Sequence, residues 1–104
     1  MQDKRVHPRV PIETDVVCEL RDGTRFGGVA KDVSVGGMFV QCADTLPFGT
    51  DLVVVGKLPG TPAELRLPGV VRWAKPGGVG VQFGLLGARE THAIARILKQ
   101  AGAR

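Results

Sequence analysis

Two short stretches of this chain carry residue types whose spacing suggests chemistry. The first is Arg5-Val6-His7-Pro8-Arg9, two arginines four positions apart with a proline between them. A guanidinium is planar, permanently charged and forked, so it grips an oxyanion through paired N–H donors. The second is Asp32-Val33-Ser34-Val35-Gly36-Gly37. An acceptor carboxylate and a hydroxyl there precede two glycines, which remove side-chain bulk where backbone N–H groups can approach an anion. Together the two stretches offer recognition of a compact anionic ligand.

Each stretch alone also has a plain reading. Arg5 and Arg9 could form a solvated basic arm, and Asp32 to Gly37 an ordinary Asx/Ser turn between strands. Catalysis is not expected. Gly56-Lys57 lacks the upstream glycine of a phosphate-binding loop, and Gly78-Val79-Gly80 leads to Phe83, not to a third glycine. His7 reads as an exposed loop residue and His92 as a surface or interface residue of a helix. With Cys18 and Cys42 they show no metal-ligand spacing, so no metal or cofactor is expected. The two cysteines follow the inward register of their strands, which assigns them to the core. Trp73 reads as core or barrel rim.

Composition sets the frame. The 104 residues make one domain, and a hydrophobic share of 43% favours a folded core over disorder. The formal charge of +4 suits an anionic partner. That charge is scattered along the chain and aromatics are few, which argues against DNA or RNA as the partner. No apolar run is long enough for a signal peptide or a membrane span. The expectation is a reduced, cytoplasmic protein without membrane insertion.

The elements that must position these residues follow from periodicity. Residues 1–13, with Pro8 and Pro11, predict an extended and flexible arginine arm. From Thr14 the period is two: Val16, Cys18 and Leu20 share a face. Asp22-Gly23 marks a hairpin turn, and the second strand runs from about Thr24 to Val33. Gly27 and Gly28 within it predict a bulge or sharp bend. Ser34 to Gly37 is a turn, then Met38, Val40 and Cys42 alternate with Phe39 and Gln41. Leu52 to Leu58 forms a fourth strand. Leu65, Leu67, Val71 and Trp73 share one face of a fifth, and Val79, Val81 and Phe83 close a sixth. After Gly87 the period turns helical, with Ile94, Ile97, Leu98 and Ala101 on one stripe and Gly102 at the C-cap position. The fold class is therefore all-β with one C-terminal helix. It is a six-stranded antiparallel β-barrel over 14–86, followed by a helix over 87–104 that covers a barrel mouth.

An Arg-x-x-x-Arg arm followed, after a gap, by Asp/Asn-x-Ser-x-x-Gly resembles the signature of PilZ domains. Gly69-Val70-Val71-Arg72-Trp73 and Gly78-Val79-Gly80-Val81-Gln82-Phe83 resemble that family's closing strands, so the resemblance covers nearly the whole chain. It implies a ligand, the bacterial second messenger cyclic di-GMP. Arg5, Arg9, Asp32, Ser34 and Gly37 match the motif position by position, and Gly36 lies at a variable position within it. Arginine suits the ligand's phosphates and guanine edges, and Asp32 can accept from a guanine N–H edge. Lys4 stands where an arginine-like residue is linked in the family with a stacked pair of ligand molecules. Lysine lacks the guanidinium fork, yet a stacked pair is the expectation.

The function so implied is a receptor or adaptor. Ligand binding would order the arm and signal through a partner protein, in motility or biofilm control. Two rivals stand beside it. One is a PilZ-fold interaction module that binds no nucleotide, and the other is a basic small barrel that binds RNA or single-stranded DNA.

Overall fold

Turn chemistry cuts the period-two runs into six strands, and a computed structural model describes them over residues 9–102. They are β1 (Val10–Leu20), β2 (Arg25–Val33), β3 (Gly37–Gln41), β4 (Asp51–Gly56), β5 (Leu65–Lys75) and β6 (Gly78–Phe83), followed by the helix α1 (Ala88–Gly102). The β1–β2 turn depends on Gly23, at φ 94°, and on Asp22, whose carboxylate accepts the Thr24 N–H at 2.9 Å. All neighbours pair antiparallel, and the order β1-β2-β3-β6-β5-β4 closes with β4 against β1. This is the expected closed six-stranded barrel with one C-terminal helix.

Inward residues of every strand form one core, including Cys18, Ala30, Val40, Val54, Leu67 and Val79. Ala93, Ile94 and Ile97 of α1 join it, so the helix covers one end of the barrel. Cys18 and Cys42 are both buried, as their register predicts.

The structure departs from the expectations at four places. β1 begins at Val10, ahead of Thr14, and Val10 and Pro11 already pair with Val33 and Asp32. The pairing register shifts between Pro11 and Thr14, yet burial alternates unbroken from Val10 to Cys18, and it is the prolines that turn the reading of this segment towards an arm. No bulge lies at Gly27 and Gly28, which pair in continuous register with Val17 and Val16. A Cβ on Gly28 would lie 2.8 Å from both the Gln41 carbonyl oxygen and Val40 Cγ1, so this glycine allows β3 to approach closely. On the β2–β3 side the shift falls between Ala30 and Asp32. The last departure is in β5, between Val71 and Trp73.

Candidate functional site

The two bulges in β2 and β5 build the site. Ala30 and Val33 are both fully buried although three residues apart, because Lys31 is the extra residue between them. Strict alternation from Ala30 would send Asp32 into the core. The bulge turns its carboxylate outward, beside Phe39. In β5, Val71 is fully buried, and the shift after it turns Trp73 outward to 47% exposure. Trp73, read as core or barrel rim, thus stands on the barrel's outer wall and not in the core.

Arg9 meets Asp32 on this wall. Its Nε and Nη2 both donate to Asp32 Oδ1, at 3.1 and 2.7 Å, and the same oxygen accepts the Phe39 N–H at 3.1 Å. The turn after β2 is tightly bonded. The Ser34 N–H donates to the Gly37 carbonyl at 2.8 Å, while Ser34 Oγ accepts the Gly36 N–H at 3.2 Å. The Gly36 carbonyl accepts the Phe83 N–H at 2.8 Å, which fastens the turn to β6. Any Cβ on Gly37 would overlap the Val81 carbonyl oxygen. Ser34 is only 3% exposed, so its hydroxyl serves first to hold the turn.

A cavity of about 390 Å³ opens on the same wall. Arg9, Ser34, Gly36 and Gly37 line one side, and Arg72 and Trp73 the other. Asp32 stands behind it as the residue that aims Arg9. Trp73 stacks on Phe39, with ring centroids 5.4 Å apart and 9° between planes. Lys75 Nζ lies 5.1 Å from the Phe39 ring centroid and 5.8 Å from that of Trp73. Beneath the two rings β6 presents glycines, since a Cβ on Gly78 would overlap the Phe39 ring and one on Gly80 the Trp73 ring, while Gln82 of the same strand lines the cavity. Arg72 lies over Phe48 at 5.6 Å. The arrangement offers forked N–H donors, a permanently charged wall and an aromatic face beside a glycine-lined floor. Those are the elements for holding a phosphate and stacking a planar base.

Of the residues singled out by sequence, Arg9, Asp32, Ser34, Gly36 and Gly37 come together. Lys4 and Arg5 lie outside the described residues. Arg72 and Trp73 were read only as strand residues. Their signal lay in Gly80, a small residue in the partner strand where an aromatic needs room. Among the described residues no three His, Cys, Asp or Glu side chains gather to hold a metal ion, and no helix is long and apolar enough to cross a membrane.

The structure is thus a small closed barrel with a cavity on its outer wall that Arg9 and Arg72 line. The family model of the PilZ domain matches residues 3–100, and the chain belongs to that family. No curated protein matches it in sequence. Solved structures share its fold. The PilZ domain of CeSA from a cellulose-synthesizing bacterium is 24% identical, with a TM-score of 0.72 over 90% of this chain and 97% of its own. The PilZ domain of YcgR from Escherichia coli, solved with c-di-GMP, is 12% identical, with a TM-score of 0.71 over 98% and 99%. The inhibitor of motility MotI/DgrA of Bacillus subtilis is 19% identical, with a TM-score of 0.77 over 99% of this chain and 54% of its own. This chain therefore spans about half of MotI.

Proposed function

We propose that this chain is a cyclic di-GMP receptor that acts by binding, not by catalysis. The observation that carries the reading is the cavity shared by Arg9, Ser34, Gly36 and Trp73, with Arg9 aimed by Asp32. Arg9 would fork onto a ligand phosphate or guanine edge, and the turn around Gly36 and Gly37 would admit the ligand close to the backbone. Trp73 would stack a guanine. Arg5 would supply the second guanidinium from the segment ahead of β1, and Lys4 would favour a stacked pair of ligands. The family membership and the c-di-GMP held by YcgR's PilZ domain support the choice of ligand.

Binding would order the arm against the barrel wall and change the surface offered to a partner protein. Control of motility or biofilm formation, in the cytoplasm, is the process this suits, and the likeness to an inhibitor of motility supports it.

The test is a calorimetric titration of the wild type and Arg9→Ala with cyclic di-GMP, with GTP as control. Saturable binding that the substitution weakens several-fold or more is the expected result, and the stoichiometry reads one ligand or two. No heat and no thermal shift at high ligand would refute the receptor reading and leave a protein interaction module.

A further inference from the structure

We propose that the solvent face of α1, with the groove between it and residues 60–65, docks an acidic segment of a partner protein. The inference rests on the reading of this chain as an adaptor and names where its partner sits. Arg89, His92, Arg96 and Lys99 stand at i, i+3, i+7 and i+10. At 3.6 residues per turn they fall within an arc of about 80° and run for about 15 Å along the axis. All four are exposed. Among the described residues none of the three permanently charged side chains forms an ion pair. The helix's one carboxylate, Glu90, lies off the stripe, with its Oε1 against Gly87.

Helix stability does not explain this stripe. Arg89 sits in the first turn, where the helix dipole disfavours a cation. Arg96 and Lys99 are like-charged neighbours at i and i+3, which also works against the helix. Lys99, in the last turn, suits the dipole, but Arg89 and the Arg96–Lys99 repulsion carry a cost that a partner's carboxylates would offset.

The groove beside the stripe narrows the choice of occupant. Its volume is about 190 Å³, with Pro62, Ala63, Leu65 and Ala93 as apolar lining and Arg89, His92 and Arg96 along the edge. An aliphatic side chain flanked by carboxylates complements both parts. A polynucleotide would need stacking faces, and the groove has no Phe, Tyr or Trp, only the His92 imidazole at its edge. A bilayer would need exposed apolar wedges, and the exposed large apolar residues Val35, Phe48, Trp73 and Leu85 all lie elsewhere. The groove shares no lining residue with the Arg9–Trp73 cavity, so ligand and partner could be held together.

The experiment is fluorescence anisotropy with a labelled, glutamate-rich helical peptide carrying leucines at one-turn spacing. The same peptide with serine for leucine, an oligo-dT strand and phosphatidylserine vesicles serve as comparison probes. Wild type should bind the leucine peptide more tightly than the serine peptide, with affinity falling as salt rises. The triple variant R89E/R96E/K99E should lose about tenfold or more in affinity while keeping its melting temperature. The proposal is overturned if wild type shows no saturable binding of the leucine peptide, or if the triple variant binds it equally well. It is also overturned if serine for leucine changes nothing, or if oligo-dT or vesicles bind more tightly through the same residues. Cyclic di-GMP titration of the same two proteins separates the readings. Lost nucleotide binding with retained peptide binding removes the receptor reading alone, and the converse removes the docking surface alone.

Discussion

Arg9 and Asp32 are joined through a single oxygen. Both Nε and Nη2 of Arg9 reach Asp32 Oδ1, which also takes the Phe39 N–H. The carboxylate is therefore fixed by the β3 backbone before it fixes the arginine, and the arginine arrives at the cavity edge already oriented. The side chains are 35% and 29% exposed, so the pair adds at most about 1 kcal/mol to stability. Its role is positional.

That role predicts coupling in ligand binding. Arg9→Ala and Asp32→Ala should each weaken cyclic di-GMP binding, the arginine by about 1.5–3 kcal/mol as a lost charge-assisted contact. The double variant should be distinctly less than additive, because Asp32 acts on the ligand partly through Arg9. Calorimetry on the four proteins measures the cycle. Strict additivity would mean the two residues touch the ligand independently.

Gly37 tests the turn by steric means. A methyl at this position meets the Val81 carbonyl oxygen, which is backbone and cannot move aside alone. Gly37→Ala should cost about 1–3 kcal/mol. For a domain of this size, each kcal/mol lowers the melting temperature by roughly 4–8 °C. Gly27→Ala is the control, since its Cβ would meet only the Val16 carbonyl oxygen, at 4.0 Å. Thermal unfolding followed by circular dichroism compares them. Equal melting temperatures would show that β3 and β6 can separate at Gly37 without cost.

Most of the barrel was legible because its inward faces alternate: Val16 and Cys18, Met38 and Val40, and Leu65 and Leu67 are all buried as their parity requires. Within the site, the polar motif Asp32-x-Ser34-x-x-Gly37 was legible as a turn with special residues. Its geometry was not, because both halves of the cavity depend on breaks in the alternation. A bulge is set by pairing with a neighbouring strand, and Lys31 carries no local mark of being the extra residue. The same holds at Arg72, where unbroken parity put Trp73 inside. Gly27 and Gly28 drew attention as the bulge because glycine is a common local signal for one, but at Gly28 the close approach of β3 uses the missing side chain instead.

Trp73 is the chain's one tryptophan and lines the cavity, so it should report ligand directly. Stacking of a guanine on its free face should quench its fluorescence saturably with cyclic di-GMP and not with GTP at the same concentration. Trp73→Ala should weaken binding by about 1–3 kcal/mol, the usual worth of a base–aromatic stack. The ring is about half exposed, so stability should fall by only about 0.5–1.5 kcal/mol from the lost Phe39 stack. Full-strength ligand binding by this variant would remove the stacking role.

Cys18 makes a prediction about chemistry that the fold suppresses. Its side chain has no exposed surface, and burial pushes the thiol up from 9.0 to about 12, with Cys42 and Asp44 nearby adding to the effect. Burial also raises Cys42, whose Sγ donates to the Asp44 carbonyl at 3.5 Å. The thiolate is the reactive species, so native Cys18 should resist iodoacetamide at neutral pH. In a Cys42→Ala background, followed by mass spectrometry, alkylation should proceed only as the barrel opens, and its rate should rise with denaturant. The sign of the pH effect follows. The folded state holds this proton more tightly than the unfolded chain, so the contribution to stability is whole below pH 9 and is lost as pH rises towards 12. Unfolding midpoints in guanidinium should therefore decline across that window. Alkylation of the native protein at the rate of a free cysteine would show that the barrel opens at this strand far more readily than its packing implies.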